Sequence, residues 1–334
     1  MNLQEIPKVE LHRHLELSIR HSTIKELAPQ FGIELPTEEE FINRFIIDEQ
    51  MADLGKVLNK FLDTQKLLAT EEILERVAYE ACEDAFDEGV RILELRYAPT
   101  FVAMGHDHFD FQKIHNAFVK GITSAQEDYE MCVGLVCIIQ RILPVEDAEA
   151  VTNFAIENKD TFIGLDLADN EEGFDSKPFA PFFLKAKEAG LGITVHSGEA
   201  NLPKAPRYPK DAVEFLGATR IGHGLQIHRD PEMMEFIKSH DVVLELCPTS
   251  NYLTSAVATT KEHPIRKIMQ AGVKVTINTD DPGIFNTDMN KELQILVDEH
   301  GFTEAEINAC MDVAAKASFI DLETKQKFWP REIK

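Results

Sequence analysis

Cysteine is scarce and scattered. Cys82, Cys132, Cys137, Cys247 and Cys310 are the only five in 334 residues, an odd number at irregular spacings with no Cys-x-x-C. That disfavours a disulfide framework and predicts a reducing, cytoplasmic setting. Long apolar runs are missing too, and no basic region leads into an apolar one near Met1, so neither a membrane-spanning helix nor a signal peptide is expected. Positive charge is in deficit: 34 Lys and Arg stand against 58 Asp and Glu, a formal net charge of -24. Such a surface repels nucleic-acid phosphates and anionic membranes, so neither is expected as a partner. Repeats, linkers and low-complexity segments are also lacking, which predicts one domain over residues 1–334.

What is present is an ordinary globular composition, 44% hydrophobic and 28% charged. The length suits two ordinary domains or one large α/β barrel, and the order of the patterns favours the barrel. Lys8-Val9-Glu10-Leu11-His12-Arg13-His14-Leu15-Glu16 alternates apolar and polar residues after Pro7, which reads as a strand. Ser22 to Phe31 reads as a short helix. Residues 38–68 then keep a helical period, with Phe41, Phe45, Leu54, Val57, Leu58, Phe61 and Leu62 on one side. This insertion is either a lid or a packing helix pair. After a further helix over 71–88, strands are predicted over 90–97, 132–140, 162–167, 193–196, 220–223, 242–246 and 274–278, each followed by a helical stretch. About eight strand–helix units predict a (β/α)8 TIM barrel with a helical insertion after the first strand.

In such a barrel the functional residues sit at the carboxyl ends of the strands. His12 and His14 share a strand face, roughly 7 Å apart by the rise per residue. The fifth strand ends His196-Ser197-Gly198-Glu199, the sixth Gly222-His223-Gly224, and the eighth Asn278-Thr279-Asp280-Asp281-Pro282. Each alone is unremarkable, but metal-capable or acid–base groups at all four ends together are improbable by chance. Three imidazoles and a carboxylate suit a divalent metal such as zinc, so His12, His14, His196 and Asp280 are the candidate ligands of one Zn2+. A further position would take a water whose pKa the ion lowers. Glu199 is placed to reach a substrate rather than the metal. His223 and Asp281 are left to deprotonate and aim the water.

This set resembles the adenosine deaminase family of the amidohydrolase superfamily. Pro7 to Glu16 is similar to the family's P-K-x-E-L-H-x-H-L-[DE], His196-Ser197-Gly198-Glu199 to its H-A-G-E, and Arg220-Ile221-Gly222-His223-Gly224 to its R-I-G-H-G. Cys247-Pro248-Thr249-Ser250-Asn251 is similar to its C-P-x-S-N, and Asn278 to Pro282 to its N-T-D-D-P. The resemblance implies hydrolytic deamination of adenosine or 2'-deoxyadenosine to inosine and ammonia. Glu199 would donate a proton to purine N1, and His223 and Asp281 would handle the attacking water at C6. His14, Glu16, Asp169 and Asp281 would contact the purine nucleoside or base.

Two positions depart from the family. Asp169, in Asp166-Leu167-Ala168-Asp169-Asn170, stands where the family has a glycine whose N–H holds purine N3; Leu17, after His14-Leu15-Glu16, also replaces a glycine. Both lie on the substrate side, so the alternative is another 6-aminopurine: adenine, an N6-modified adenosine or AMP, methylthioadenosine or aminodeoxyfutalosine. The predicted fourth strand has no lysine to bridge two metals, which favours a single ion. Arg96 and Arg141, at two further strand ends, read as internal salt-bridge partners.

Overall fold

The computed structural model describes residues 1–50 and 54–333, with no side chains for 54–58. Residues 51–53, and the side chains of Leu54, Val57 and Leu58 from the helical insertion, therefore lie outside the described residues.

Eight strands form in chain order: β1 Lys8–His14, β2 Val90–Tyr97, β3 Cys132–Gln140, β4 Phe162–Ala168, β5 Gly192–Ser197, β6 Arg220–His223, β7 Val243–Leu246 and β8 Lys274–Ile277. Each pairs in parallel with its sequence neighbours. The ring closes where β1 meets the residues after β8. His14 N–H donates to Asp280 O at 2.8 Å, and Asp280 N–H donates to His12 O at 2.9 Å. The fold is a (β/α)8 TIM barrel.

The predicted elements recur with small shifts. β1 stops at His14, and Leu15–Leu17 makes a 3-10 turn. The insertion contributes helices at His21–Leu27, Glu38–Phe45 and Leu54–Leu67. The Glu38–Phe45 helix is capped by Thr37, whose side chain accepts Glu40 N–H. It ends because Ile46 turns extended and Ile47 sends its N–H to Ile284 O at 2.9 Å, tying the insertion to the short helix Pro282–Phe285 that follows β8. A short helix at Pro99–Ala103, too brief to show a period, was not foreseen.

The barrel interior is charged. Arg220 pairs with Glu94 and Glu245, each at 2.6 Å, and Arg96 pairs with Asp166 and Glu245, each at 2.8 Å. All five are buried. Buried charges are tolerated when each has a partner, and here none stands alone. At the amino-terminal mouth the Phe319 ring lies 3.7 Å from the Arg220 guanidinium and closes the opening. A Cβ at Gly192 would come within 2.3 Å of that ring, so only glycine admits the plug. All five cysteines are buried and unpaired. Among the described residues no helix is long and apolar enough to cross a membrane.

Candidate active site

The strand-end histidines converge. His12 and His14 ring centroids stand 5.5 Å apart, and His12 lies 4.5 Å from His196 and 4.9 Å from His223. A register irregularity in β1 between Glu10 and Arg13 re-aims this stretch. Gly222 makes the room: a Cβ there would sit 2.9 Å from His12 Cε1 and 3.2 Å from His196 Cα. His223 and Asp280 both adopt left-handed backbone, φ 58° and 67°, a costly conformation for residues other than glycine that clusters at functional sites.

His12 and His196 are held from behind by carboxylates. Glu245 takes His12 Nδ1 at 2.7 Å, and Asp166 takes His196 Nδ1 at 3.0 Å. Fixing Nδ1–H leaves each Nε2 lone pair facing inward. Burial pushes the His196 imidazole down to about 3, against the pull of Asp166, which keeps it neutral. Arg96 bridges the two carboxylates, and so it does pair with acidic groups behind the site. Arg141 donates to the backbone carbonyls of Leu167, at 3.0 Å, and His196.

The inward atoms fit a metal ion. His12 Nε2 is buried and makes no well-aligned hydrogen bond, although Asp280 Oδ1 is only 3.1 Å away. The two atoms point past each other, as lone pairs aimed at a common third point do. One ligand atom from each of His12, His196, His223 and Asp280 falls within 4.8 Å of the others. His14 joins this group through Nε2, 3.3 Å from Asp280 Oδ1 and 3.4 Å from His196 Nε2. Burial opposes ionisation of Asp280, yet His223, His12 and His14 hold its carboxyl well below the usual range. Ser250 donates to the other oxygen of Asp280 at 2.6 Å and fixes its rotation.

Beside this cluster stand the Glu199 and Asp281 carboxylates. Glu199 Oε2 is 3.7 Å from His223 Nε2, and Thr254 donates to Glu199 Oε1 at 3.2 Å. The loop carrying Glu199 is moored by Glu171, whose carboxylate accepts N–H from Gly198 at 2.7 Å, Glu199 at 2.9 Å and Ala200 at 2.8 Å. Asp281 Oδ1 is buried without a partner. Burial and the nearby Asp280, Glu16 and Glu199 carboxylates push the Asp281 carboxyl well above its ordinary value.

The residues expected on the substrate side divide. Glu16 Oε1 accepts Ala98 N–H at 2.9 Å, while Oε2 is buried and unpartnered, and burial raises its carboxyl. Leu17 is buried in a small apolar cluster with Ile47, Leu253, Ile284 and Phe285, against which Phe61 of the insertion packs. Its replacement of a family glycine thus docks the insertion on the barrel. Asp169 is exposed at φ 83° and accepts from Gln140 Nε2 at 3.1 Å.

Sequence reasoning assigned no role to Asp166, Glu171, Glu245, Ser250 or Asn251. Ser250 and Asn251 at least lay inside a family-like motif. Neither Glu171 nor Glu245 belongs to any of the motifs quoted above.

Comparison with known proteins agrees with this geometry. The family model described as adenosine deaminase matches residues 7–332. A relative named adenosine deaminase from Shewanella loihica is 36% identical over 323 residues, covering 96% of each chain. The crystal structure of an adenine deaminase from Arthrobacter aurescens superposes with a TM-score of 0.87 at 26% identity, covering 96% of each chain. An amidohydrolase from Burkhoderia ambifaria, solved with bound Zn, superposes with a TM-score of 0.86 at 26% identity, covering 97% of this chain and 88% of that one. On the match across nearly its whole length, this chain belongs to the adenosine deaminase family.

Proposed function

We propose that this C–N hydrolase removes the 6-amino group of adenosine or 2'-deoxyadenosine, using one Zn2+ per chain held by His12, His14, His196 and Asp280. The observation that carries the metal reading is the buried His12 Nε2, which has no well-aligned partner although Asp280 Oδ1 lies 3.1 Å away. Bound there, zinc would supply Lewis-acid activation of water near neutral pH.

The chain's own residues do the rest. Glu199 gives a proton to purine N1, which drains electrons from C6. Asp281, whose Oδ1 is free, aims the water oxygen at C6 and takes its proton, while His223 steadies that oxygen. The new C6–O bond forms, the C6–N bond breaks, and ammonia leaves a 6-oxopurine. His14 and Glu16 line the purine side, and the unpartnered Glu16 Oε2 suits a substrate donor. One barrel acts as a single domain. The five unpaired cysteines support a cytoplasmic location.

A second reading, another 6-aminopurine with adenine first, is favoured by Asp169. Its carboxylate stands where the family has only hydrogen. Release of ammonia from adenosine, 2'-deoxyadenosine, adenine, methylthioadenosine and aminodeoxyfutalosine, and of methylamine from N6-methyl-AMP, separates the readings. Best turnover of adenosine supports the first; no turnover of adenosine sinks it.

A further inference from the structure

We propose that Asn251 and His263 are positioning residues that fix the tautomer of His223, starting from a backbone N–H outside the site. The inference rests on the reading of His223 as part of the reaction centre.

The chain of hydrogen bonds has one consistent direction. Ile265 N–H donates to His263 Nδ1 at 3.3 Å. His263 is buried, and burial pushes its imidazole down to about 3, so it carries a single ring proton. With Nδ1 accepting, that proton sits on Nε2. His263 Nε2–H then donates to Asn251 Oδ1 at 3.1 Å. This settles which way the fully buried Asn251 amide faces, because the flipped amide would set two donors against each other. Asn251 Nδ2 therefore donates to His223 Nδ1 at 3.1 Å.

The His223 Nδ1 lone pair is thereby engaged, which leaves Nε2 as the ring atom that carries the proton. That atom faces Glu199 Oε2 at 3.7 Å and Asp280 Oδ2 at 3.9 Å. In this tautomer His223 offers the site a donor rather than an acceptor. Without Asn251 and His263 either tautomer would be open to it. His263 lies 40 residues beyond His223 and has no role in any pattern the sequence displays. It acts through another residue rather than on substrate.

The test is 15N NMR of histidine-labelled, zinc-loaded full-length protein, with His223 assigned from the signals lost in His223→Gln. Wild type is expected to show the His223 proton on Nε2. His263→Leu removes the donor to Asn251. It is expected to mix the His223 tautomers and lower kcat about tenfold or more, with KM changed less than about threefold and zinc content kept. His263→Gln places an amide donor where Nε2 was and should restore the wild-type tautomer and most of the lost kcat. Should His263→Leu fail to fold, Asn251→Asp serves: a carboxylate can only accept, so the His223 proton should move to Nδ1. A wild-type His223 protonated on Nδ1, or an unchanged His223 signal in both His263→Leu and Asn251→Asp, overturns the proposal. The tautomer is read without substrate, so failure of the whole purine panel would sink the proposed activity and leave this result standing.

Discussion

Glu245 on β7 accepts the Nδ1 proton of His12 on β1 at 2.7 Å, reaching across the barrel interior to do so. The same carboxylate is gripped by Arg96 and Arg220. Burial works against its ionisation, but the two guanidiniums and His12 hold it well below the usual carboxylate range. Glu245→Gln keeps an acceptor for His12 and takes the charge away. Zinc affinity, read by chelator competition, is expected to fall about 10–100-fold. The zinc-loaded variant should also lose about 3–5 kcal/mol in urea unfolding, since two buried arginines lose a counter-charge. Wild-type zinc affinity would show that this carboxylate does not tune the site.

Glu199→Gln keeps the shape of the side chain and its contact with Thr254, but it has no proton to give purine N1. Zinc content should stay at the wild-type level while kcat falls about 10²–10⁴-fold. Atomic absorption and initial ammonia-release rates are the two readouts. Normal turnover would remove Glu199 from its role as acid.

Glu171 acts on Glu199 through the backbone. Its two oxygens collect three consecutive N–H groups, from Gly198 to Ala200. Glu171→Gln turns one acceptor into a donor facing those N–H groups and so displaces the loop. A displacement of about 1 Å at a catalytic group costs about 10²-fold, and kcat/KM should fall by that order. Zinc content should not change, because no candidate ligand lies on this loop beyond His196. A variant with wild-type kcat/KM would mean that Glu199 is positioned by other contacts.

The residues that converge at the strand ends were legible in the sequence, and those that brace them were not. His12, His14, His196, Glu199, His223, Asp280 and Asp281 all sit at strand ends, where barrel topology concentrates function. Strand–helix alternation alone located those ends. Asp166 and Glu245 lie inside strands, and only the closed curvature of the sheet sets Glu245 behind His12. No local pattern encodes a partner more than 200 residues away. Leu17 shows the opposite limit. Set against family-like neighbours it suggested a change in the substrate pocket, yet its side chain packs with Ile47 and Phe285 under the insertion. Burial of an apolar side chain is decided by what folds over it.

Asp169 carries the remaining question of substrate. Its φ of 83° is unfavourable for any residue with a Cβ, and its carboxylate points to Gln140. Asp169→Gly relieves the backbone and clears the side of the pocket where purine N3 would bind. For adenosine, KM should fall severalfold while kcat stays within about twofold, the signature of a change in ground-state binding. Steady-state kinetics with adenosine and adenine would show it. Equal KM values before and after on both substrates would place Asp169 outside the pocket.

Glu292 gives a pH dependence that can be checked without substrate. It is fully buried, accepts Thr249 N–H at 3.0 Å and Thr287 Oγ1–H at 2.5 Å, and so pins the start of the short helix Pro248–Leu253 that carries Ser250 and Asn251. Burial pushes its carboxyl from 4.5 up to about 7. A raised acid binds its proton more tightly in the folded state. Stability therefore falls as pH rises from about 4.5 to about 7, where the unfolded chain ionises first, and is flat with respect to this group above that. At 1.36 kcal/mol per pKa unit the loss is on the order of 3 kcal/mol. Glu292→Gln imitates the protonated acid, one oxygen for Thr249 and one N–H for Thr287, and does not titrate. Measured by urea unfolding of zinc-loaded protein, the variant should gain on wild type by about that amount between pH 4.5 and pH 8. A difference that stays constant across this range would mean that Glu292 ionises as readily in the folded chain as in the unfolded one.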